Sequence, residues 1–356
     1  MSLRLSAKTA PVLTMKTQED YSVSRNYFGS CRLFVSHQRG EIFGLEFSPD
    51  GRNLASGGFD KNILIYNIYG ECENWCVLKG HQNAILEMHW SSDSRNIFSC
   101  SADRSLAVWD VENGRRIKKF SNTRSAFVSA YFFPEMKECL VCAGGHVSLV
   151  NSCNCARRGP PLLVSGSDDG TTKVWDLRTR KCSKTYESQY QVLSVTFDDN
   201  ASRIFSGSLD NTIRAYDLRM DSELEALQGH TDSITGLDVS KDGRYLLSNS
   251  MDQTIRLWNI QPYLDGKRCM GIMNGATHNF EKNLLRVRWN SSDSLFAAGS
   301  ADRYVYVWCM KTSRLLYRLP GHNGSVNEVC FHPYEPIVAS CSSDKTIYMG
   351  ELETMD

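Results

Sequence analysis

The chain has 356 residues, and its 40 Lys and Arg balance 40 Asp and Glu for a formal net charge of zero. That balance gives no general attraction to phosphate backbones or anionic membranes and disfavours sequence-independent nucleic-acid binding. Thirteen cysteines, an odd total scattered through strand-like positions such as Cys100, Cys330 and Cys341, do not read as a disulfide framework, and no apolar run approaches the ~18 residues of a membrane span.

No secretory leader opens the chain, so a reducing compartment, cytosol or nucleus, is expected. Residues 1–28 are polar, unpatterned and mixed in charge, and read as a flexible tail. Residues 29–356 read as one domain. Arg32-Leu33-Phe34-Val35 resembles a strand with no blade of its own. It is expected to supply the outer strand of the last blade and so latch a ring shut.

One phrase then recurs seven times. Its aspartates are Asp60, Asp103, Asp169, Asp210, Asp252, Asp302 and Asp344. Upstream stand His37, His81, His146, His230, His278 and His322, with Ser188 in the fourth repeat. Four residues before each aspartate lies Ser56, Ser99, Ser165, Ser206, Ser248 or Ser340, with Ala298 in the sixth repeat. An aromatic follows: Tyr66, Trp109, Trp175, Tyr216, Trp258, Trp308 or Tyr348. A period of about 40 to 45 residues with Gly-His and Trp-Asp signatures marks four-stranded blades, so the fold expected is all-β, a seven-bladed β-propeller closed by an N-terminal outer strand. In the fifth repeat, for example, Leu237–Val239, Tyr245–Ser248 and Thr254–Trp258 read as short strands around the turn Lys241-Asp242-Gly243.

The recurring Ser, His and Asp are expected to form a fold-locking network, with aspartate accepting from turn amides and from histidine, and histidine held by serine and indole. Seven copies of one hydrolytic site in one chain are not a reasonable reading. The chain has no nucleophile elbow, His-Glu-x-x-His, phosphate loop or dinucleotide fingerprint, so no catalytic residue is assigned.

The rhythm breaks once, with surplus residues at about 121–143. That stretch carries Phe127, Tyr131, Phe132 and Phe133 without clear period, and a long apolar loop of this kind is functional or a sign of misassignment. Cys139, Cys142, His146, Cys153 and Cys155 have zinc-like spacing. His146 already belongs to the repeat, and Cys153 and Cys155 fall on an expected inner strand, so no metal is assigned. Translated intron is a further reading, because the repeat runs smoothly if Asn122 is joined near Gly144.

The string Ser165–Asp176, with the recurring Gly-His, resembles the WD40 repeat family. Longer strings, such as Thr277–Arg286, Gly299–Trp308 and Leu319–His322, resemble its branch within the U5 small nuclear ribonucleoprotein. The resemblance implies a nuclear, non-catalytic subunit of the spliceosome acting in pre-mRNA splicing. Its partners would be the large central U5 splicing scaffold protein, on which it would dock, and other U5 and tri-snRNP proteins. RNA contact would be indirect, with no cofactor, membrane or small-molecule substrate. The surplus at 121–143 is foreign to that branch, and the tail lacks the basic, proline-rich opening expected of it. The alternative is a substrate receptor or adaptor of a ubiquitin ligase, which would share the fold.

In such propellers the loops bearing histidine and aspartate open on one rim. Phe59, Leu209 and Met251 directly precede repeat aspartates, and Tyr190 and Phe280 sit in histidine-side loops. Together they are expected to form an apolar partner-binding patch. Arg286 aligns with Glu87 and Glu328 on inner strands, as a partner contact in the channel or as a structural pair. Arg157, Arg158, Arg286 and Arg288 could form a basic patch that a net charge of zero would conceal.

Overall fold

A computed structural model describes residues 31–34, 40–69, 72–121, 145–179, 181–263, 266–278 and 284–352. The tail at 1–28, the surplus beyond Ser121, His37, Cys139, Cys142 and Phe280 lie outside the described residues.

Short runs of β-branched and aromatic residues, broken by turns, form seven antiparallel sheets of four strands each. The inner strands are β2 (Ile42–Phe47), β6 (Ile85–Trp90), β10 (Val150–Cys155), β14 (Val192–Phe197), β18 (Ile234–Val239), β22 (Val287–Trp289) and β26 (Val326–Phe331). The corresponding outer strands of blades one to six are β5 (Asn74–Lys79), β9 (Arg115–Ser121), β13 (Lys181–Glu187), β17 (Ser222–Leu227), β21 (Cys269–Asn274) and β25 (Leu315–Leu319). In blade five the three expected strands run slightly longer than read, as Ile234–Val239, Tyr245–Ser250 and Thr254–Asn259.

Burial follows radial position. All six residues of β14 are buried, whereas β17 is mostly exposed. The core lies between blades: Ala55, Ile63 and Ile65 of the first blade pack with Met88, Trp90 and Trp109 of the second. Each such large side chain contributes about 1.5–3 kcal/mol through apolar burial. Gly166 in the Ser-Gly-Ser string permits this approach. A Cβ there would lie 2.7 Å from Val192 Cγ1 and 2.8 Å from Val195 Cγ1 of the next blade.

Neighbouring inner strands are also joined by side chains that cap backbone amides. Leu45 N–H donates to Glu328 Oε2 at 3.0 Å, and Trp90 N–H to Glu46 Oε2 at 2.9 Å. Val195 N–H donates to Ser152 Oγ, Leu237 N–H to Ser194 Oγ and Trp289 N–H to Asp238 Oδ2. Without these partners, inner-strand amides facing the channel would be left without protein acceptors.

The seventh blade contains β26, β27 (Ile337–Ser342), β28 (Ile347–Glu351) and, outermost, β1 (Cys31–Phe34). The described latch is Cys31–Phe34, with Cys31 opposite Gly350 and Phe34 opposite Ile347; Val35 lies outside the described residues. It joins segments from opposite ends of the described chain and covers the edge of β28. Deletion of residues 30–36 is expected to lower Tm by more than about 5 °C, measured by circular dichroism. An unchanged Tm would contradict the latch.

Candidate functional site

The repeat residues converge at the rim where histidine-side loops meet the turns between second and third strands. In blade two, Ser99 Oγ accepts from Trp109 Nε1–H at 2.8 Å and lies 2.7 Å from His81 Nε2. The Asp103 carboxylate can only accept, so Nδ1–H donates to its Oδ2 at 3.3 Å, and in the neutral imidazole Nε2 then accepts from the Ser99 hydroxyl. Blade three repeats the chain with His146, Ser165, Asp169 and Trp175, and blade five with His230, Ser248, Asp252 and Trp258. Blade seven joins His322 to Ser340 and Asp344, with Tyr348 edge-on to the imidazole at 4.6 Å.

Each of these carboxylates holds two loops at once. One oxygen accepts from the amide after the histidine, at Gln82, Val147, Thr231 or Asn323. The other accepts from the amide two residues beyond the aspartate, at Ser105, Thr171, Thr254 or Thr346. The intervening residue is left-handed, as at Arg104 (φ 62), Gln253 (φ 66) and Lys345 (φ 71). That conformation costs a non-glycine residue roughly 1–2 kcal/mol, which the carboxylate bonds offset.

Blade one, whose His37 lies outside the described residues, keeps the bond within the turn, with Asp60 Oδ1 accepting from Asn62 N–H at 3.2 Å. Two blades are built differently. In blade four, where Ser188 replaces histidine, Arg214 pairs with Asp210 and donates to Ser188 Oγ at 3.3 Å. In blade six, where Ala298 replaces serine, Tyr306 Oη–H donates to Asp302 Oδ2 at 2.5 Å, and Tyr306 stacks on the buried Trp308. His278 is half-buried. Arg214 and Tyr306 were missed from sequence. Their signal is a large polar side chain four residues after the aspartate, in the repeats whose phrase is incomplete.

The rim residues do not form one patch. Phe59 is 60% exposed but belongs to blade one, across the ring from Tyr190 and Leu209 in blade four, at 49% and 43%. Leu209 N–H donates to Gln191 O, which brings the Tyr190 loop beside Leu209. Met251, half-buried, follows on blade five. Val147, 84% exposed, and Leu149, 41%, extend this arc onto blade three. Sequence reading overlooked both. The residue after the repeat histidine is polar at Gln82, Thr231, Asn279 and Asn323, so an apolar Val147 was the available signal.

The channel is crossed by ion pairs. Arg286 of blade six pairs with Glu87 of blade two, and Arg288 with Glu328 at 3.0 Å. Burial in the channel lowers Arg286 to about 10, while Glu328 opposes that effect. His89 Nδ1 lies 3.3 Å from Glu46 Oε1. These groups leave a cavity of about 40 Å³, which admits water but is far below the size of ordinary ligand sites. Among the described residues no cluster of His, Cys, Asp and Glu could hold a metal, Cys153 and Cys155 are buried on their inner strand, and Cys76, Cys182, Cys269, Cys309, Cys330 and Cys341 are free thiols.

Burial by itself would raise the carboxyls of Asp103, Asp169 and Asp252, but bonds from turn amides, hydroxyls and histidines outweigh it, whereas at Asp60 burial prevails and raises the carboxyl. Asp103 and Asp252 fall well below the usual range, and Asp169 falls to about 2. Burial also lowers His81, His146 and His322 from the ordinary 6.5. Below about 6.5 the unfolded chain therefore binds more protons at these histidines than the folded one. Asp103, Asp169 and Asp252 add stability above their unfolded value of 3.8, and this is lost as pH falls through the folded values. Tm is expected to fall from pH 7 to pH 5 and more steeply below pH 4; a rise on acidification would contradict this. Ser99→Ala strips a partner from both His81 and Trp109 and is expected to destabilise by about 2–4 kcal/mol in urea denaturation.

The model of the WD domain, G-beta repeat, matches residues 29–67, 73–110, 137–176, 180–217, 222–259, 268–309 and 313–349. The chain is 48% identical over 321 residues to the human U5 small nuclear ribonucleoprotein 40 kDa protein, covering 90% of this chain and 84% of that one. It is 46% identical to the protein of the same name from Dictyostelium discoideum, covering 88% and 82% respectively. Against the pre-mRNA-splicing factor cwf17 of Schizosaccharomyces pombe the identity is 41%, covering 88% and 85%. The seven blades, their shared rim network and these likenesses place the chain in the WD40 repeat family, in the branch of the U5 small nuclear ribonucleoprotein 40 kDa proteins.

Proposed function

We propose that the protein is a non-catalytic subunit of the U5 particle, nuclear in location, which docks on the large central U5 scaffold protein and serves pre-mRNA splicing. The observation that carries this reading is 48% identity across nine-tenths of the chain to a protein named for that particle. A polar channel filled by ion pairs supports a binding role over a catalytic one.

Val147, Leu149, Tyr190, Leu209 and Met251 form the surface proposed to meet the scaffold. Each lies beside a turn pinned through a repeat aspartate, so the side chains are presented with little ordering left to do on binding. Phe59 stands outside this surface. Free thiols at Cys76, Cys182, Cys269, Cys309, Cys330 and Cys341 agree with a reducing compartment such as the nucleus.

Affinity purification of the tagged protein from nuclear extract, washed at high salt, is expected to retain U5 RNA and the large scaffold protein. Tyr190→Ala with Leu209→Ala should reduce scaffold retention by roughly tenfold or more, as loss of central apolar anchors does, while Tm is unchanged. Recovery of a ubiquitin-ligase adaptor without splicing components would overturn the reading. Equal loss of retention and Tm would return both residues to the core.

A further inference from the structure

The zero net charge conceals an uneven distribution. β9 reads Arg115-Arg116-Ile117-Lys118-Lys119-Phe120-Ser121, four cations with no anion. The other outer strands of blades one to six carry at most two cations, and β17 is acidic through Glu223 and Glu225. Arg115, Arg116 and Lys118 are exposed.

The four cations are engaged to different degrees. Lys119 Nζ lies 3.5 Å from Asp103 Oδ2, and Arg116 donates to Gly80 O at 3.0 Å beside the Trp109 ring. Arg115 and Lys118 form no ion pair with any described carboxylate, and Lys118 Nζ rests 4.7 Å above the Phe120 ring. The arginines singled out from sequence are neutralised instead. Arg157 meets Asp238, Arg158 meets Asp199, Arg286 meets Glu87, and Arg288 meets Glu328. Unbalanced positive charge is therefore found on the outer wall of blade two and not in the channel.

The edge geometry bears on which partner fits. Pairing with the third strand passes from Lys118 opposite Val108 to Arg116 opposite Trp109, which leaves Ile117 as a bulge. A bulge breaks the ladder and twists the edge, which opposes addition of a further strand. An acidic peptide docking as a fifth strand would also need side-chain pockets, and this edge presents one apolar residue, Ile117. A phosphate backbone needs neither. It asks for cations spaced along a track, which alternating side chains about 6.6 Å apart on each face of a strand provide.

We propose that the outer edge of blade two, through Arg115 and Lys118 with support from Arg116, is a phosphate-backbone contact for RNA. It goes beyond the scaffold-docking reading and does not depend on it.

The test is fluorescence anisotropy of the purified full-length protein with a labelled, unstructured RNA of about 20 nucleotides across a salt series. Wild type is expected to bind with a salt-dependent affinity. Arg115→Gln with Lys118→Gln should weaken binding by roughly tenfold and lower the log–log salt slope by about 1.4, for two lost single-strand phosphate contacts. Tm and scaffold retention should be unchanged. The remote pair Lys241→Gln with Arg244→Gln should bind as wild type does. No binding by wild type at low salt, or equal effects of the two pairs, would overturn the proposal. A polyglutamate peptide that binds as tightly as RNA and is lost with the same variant would also overturn it, assigning the edge to an acidic protein partner.

Discussion

The structure depends on a buried carboxylate that has two loops to hold. In four blades the aspartate receives one amide from the histidine-side loop and one from its own turn, while imidazole and hydroxyl, joined in three of them by an indole, carry the constraint inward. The chain of bonds runs from solvent edge to interblade core, so rim shape and core packing are set together. Blades four and six show that the constraint matters more than its chemistry. An arginine and a tyrosine reach the same carboxylate from the neighbouring strand when histidine or serine is missing.

Ring closure is supported at two radii. At the perimeter, β1 covers β28. At the axis, Glu328 spans from blade seven to the amide of Leu45 in blade one, and Arg286 reaches across to Glu87. Polar groups near the axis are satisfied mainly by one another, while apolar side chains fill the wedges between blades. A partner is thus left the rim and the outer wall as its accessible surfaces.

Much of this was legible in the sequence because the repeat phrase is local. The aspartates all fall in the same type of turn, each followed by a left-handed residue, and the latch read at Arg32–Val35 pairs with the last blade through Cys31–Phe34. Contacts between distant repeats were not legible. Nothing near Arg286 indicates Glu87, some two hundred residues earlier, or that Phe59 and Leu209 stand on opposite sides of a ring. Val147 and Leu149 were hidden because the surplus before them drew attention to zinc-like spacing. The cations of β9 went unread because a total charge of zero was applied to the whole chain.

The pairing of β1 with β28 has a consequence during synthesis. A ribosome makes the outer strand of the last blade first, and that strand cannot find its partner until the final blade has emerged. Six blades can form in order, each on the one before, while the ring stays open and the leading strand waits unpaired. Closure is therefore the longest-range and slowest contact to form. A stop codon that removes only β28 would leave β1 without its partner and the edge of β27 uncovered, so a loss of few residues would open the ring at blade seven and expose that edge to chaperones and proteases.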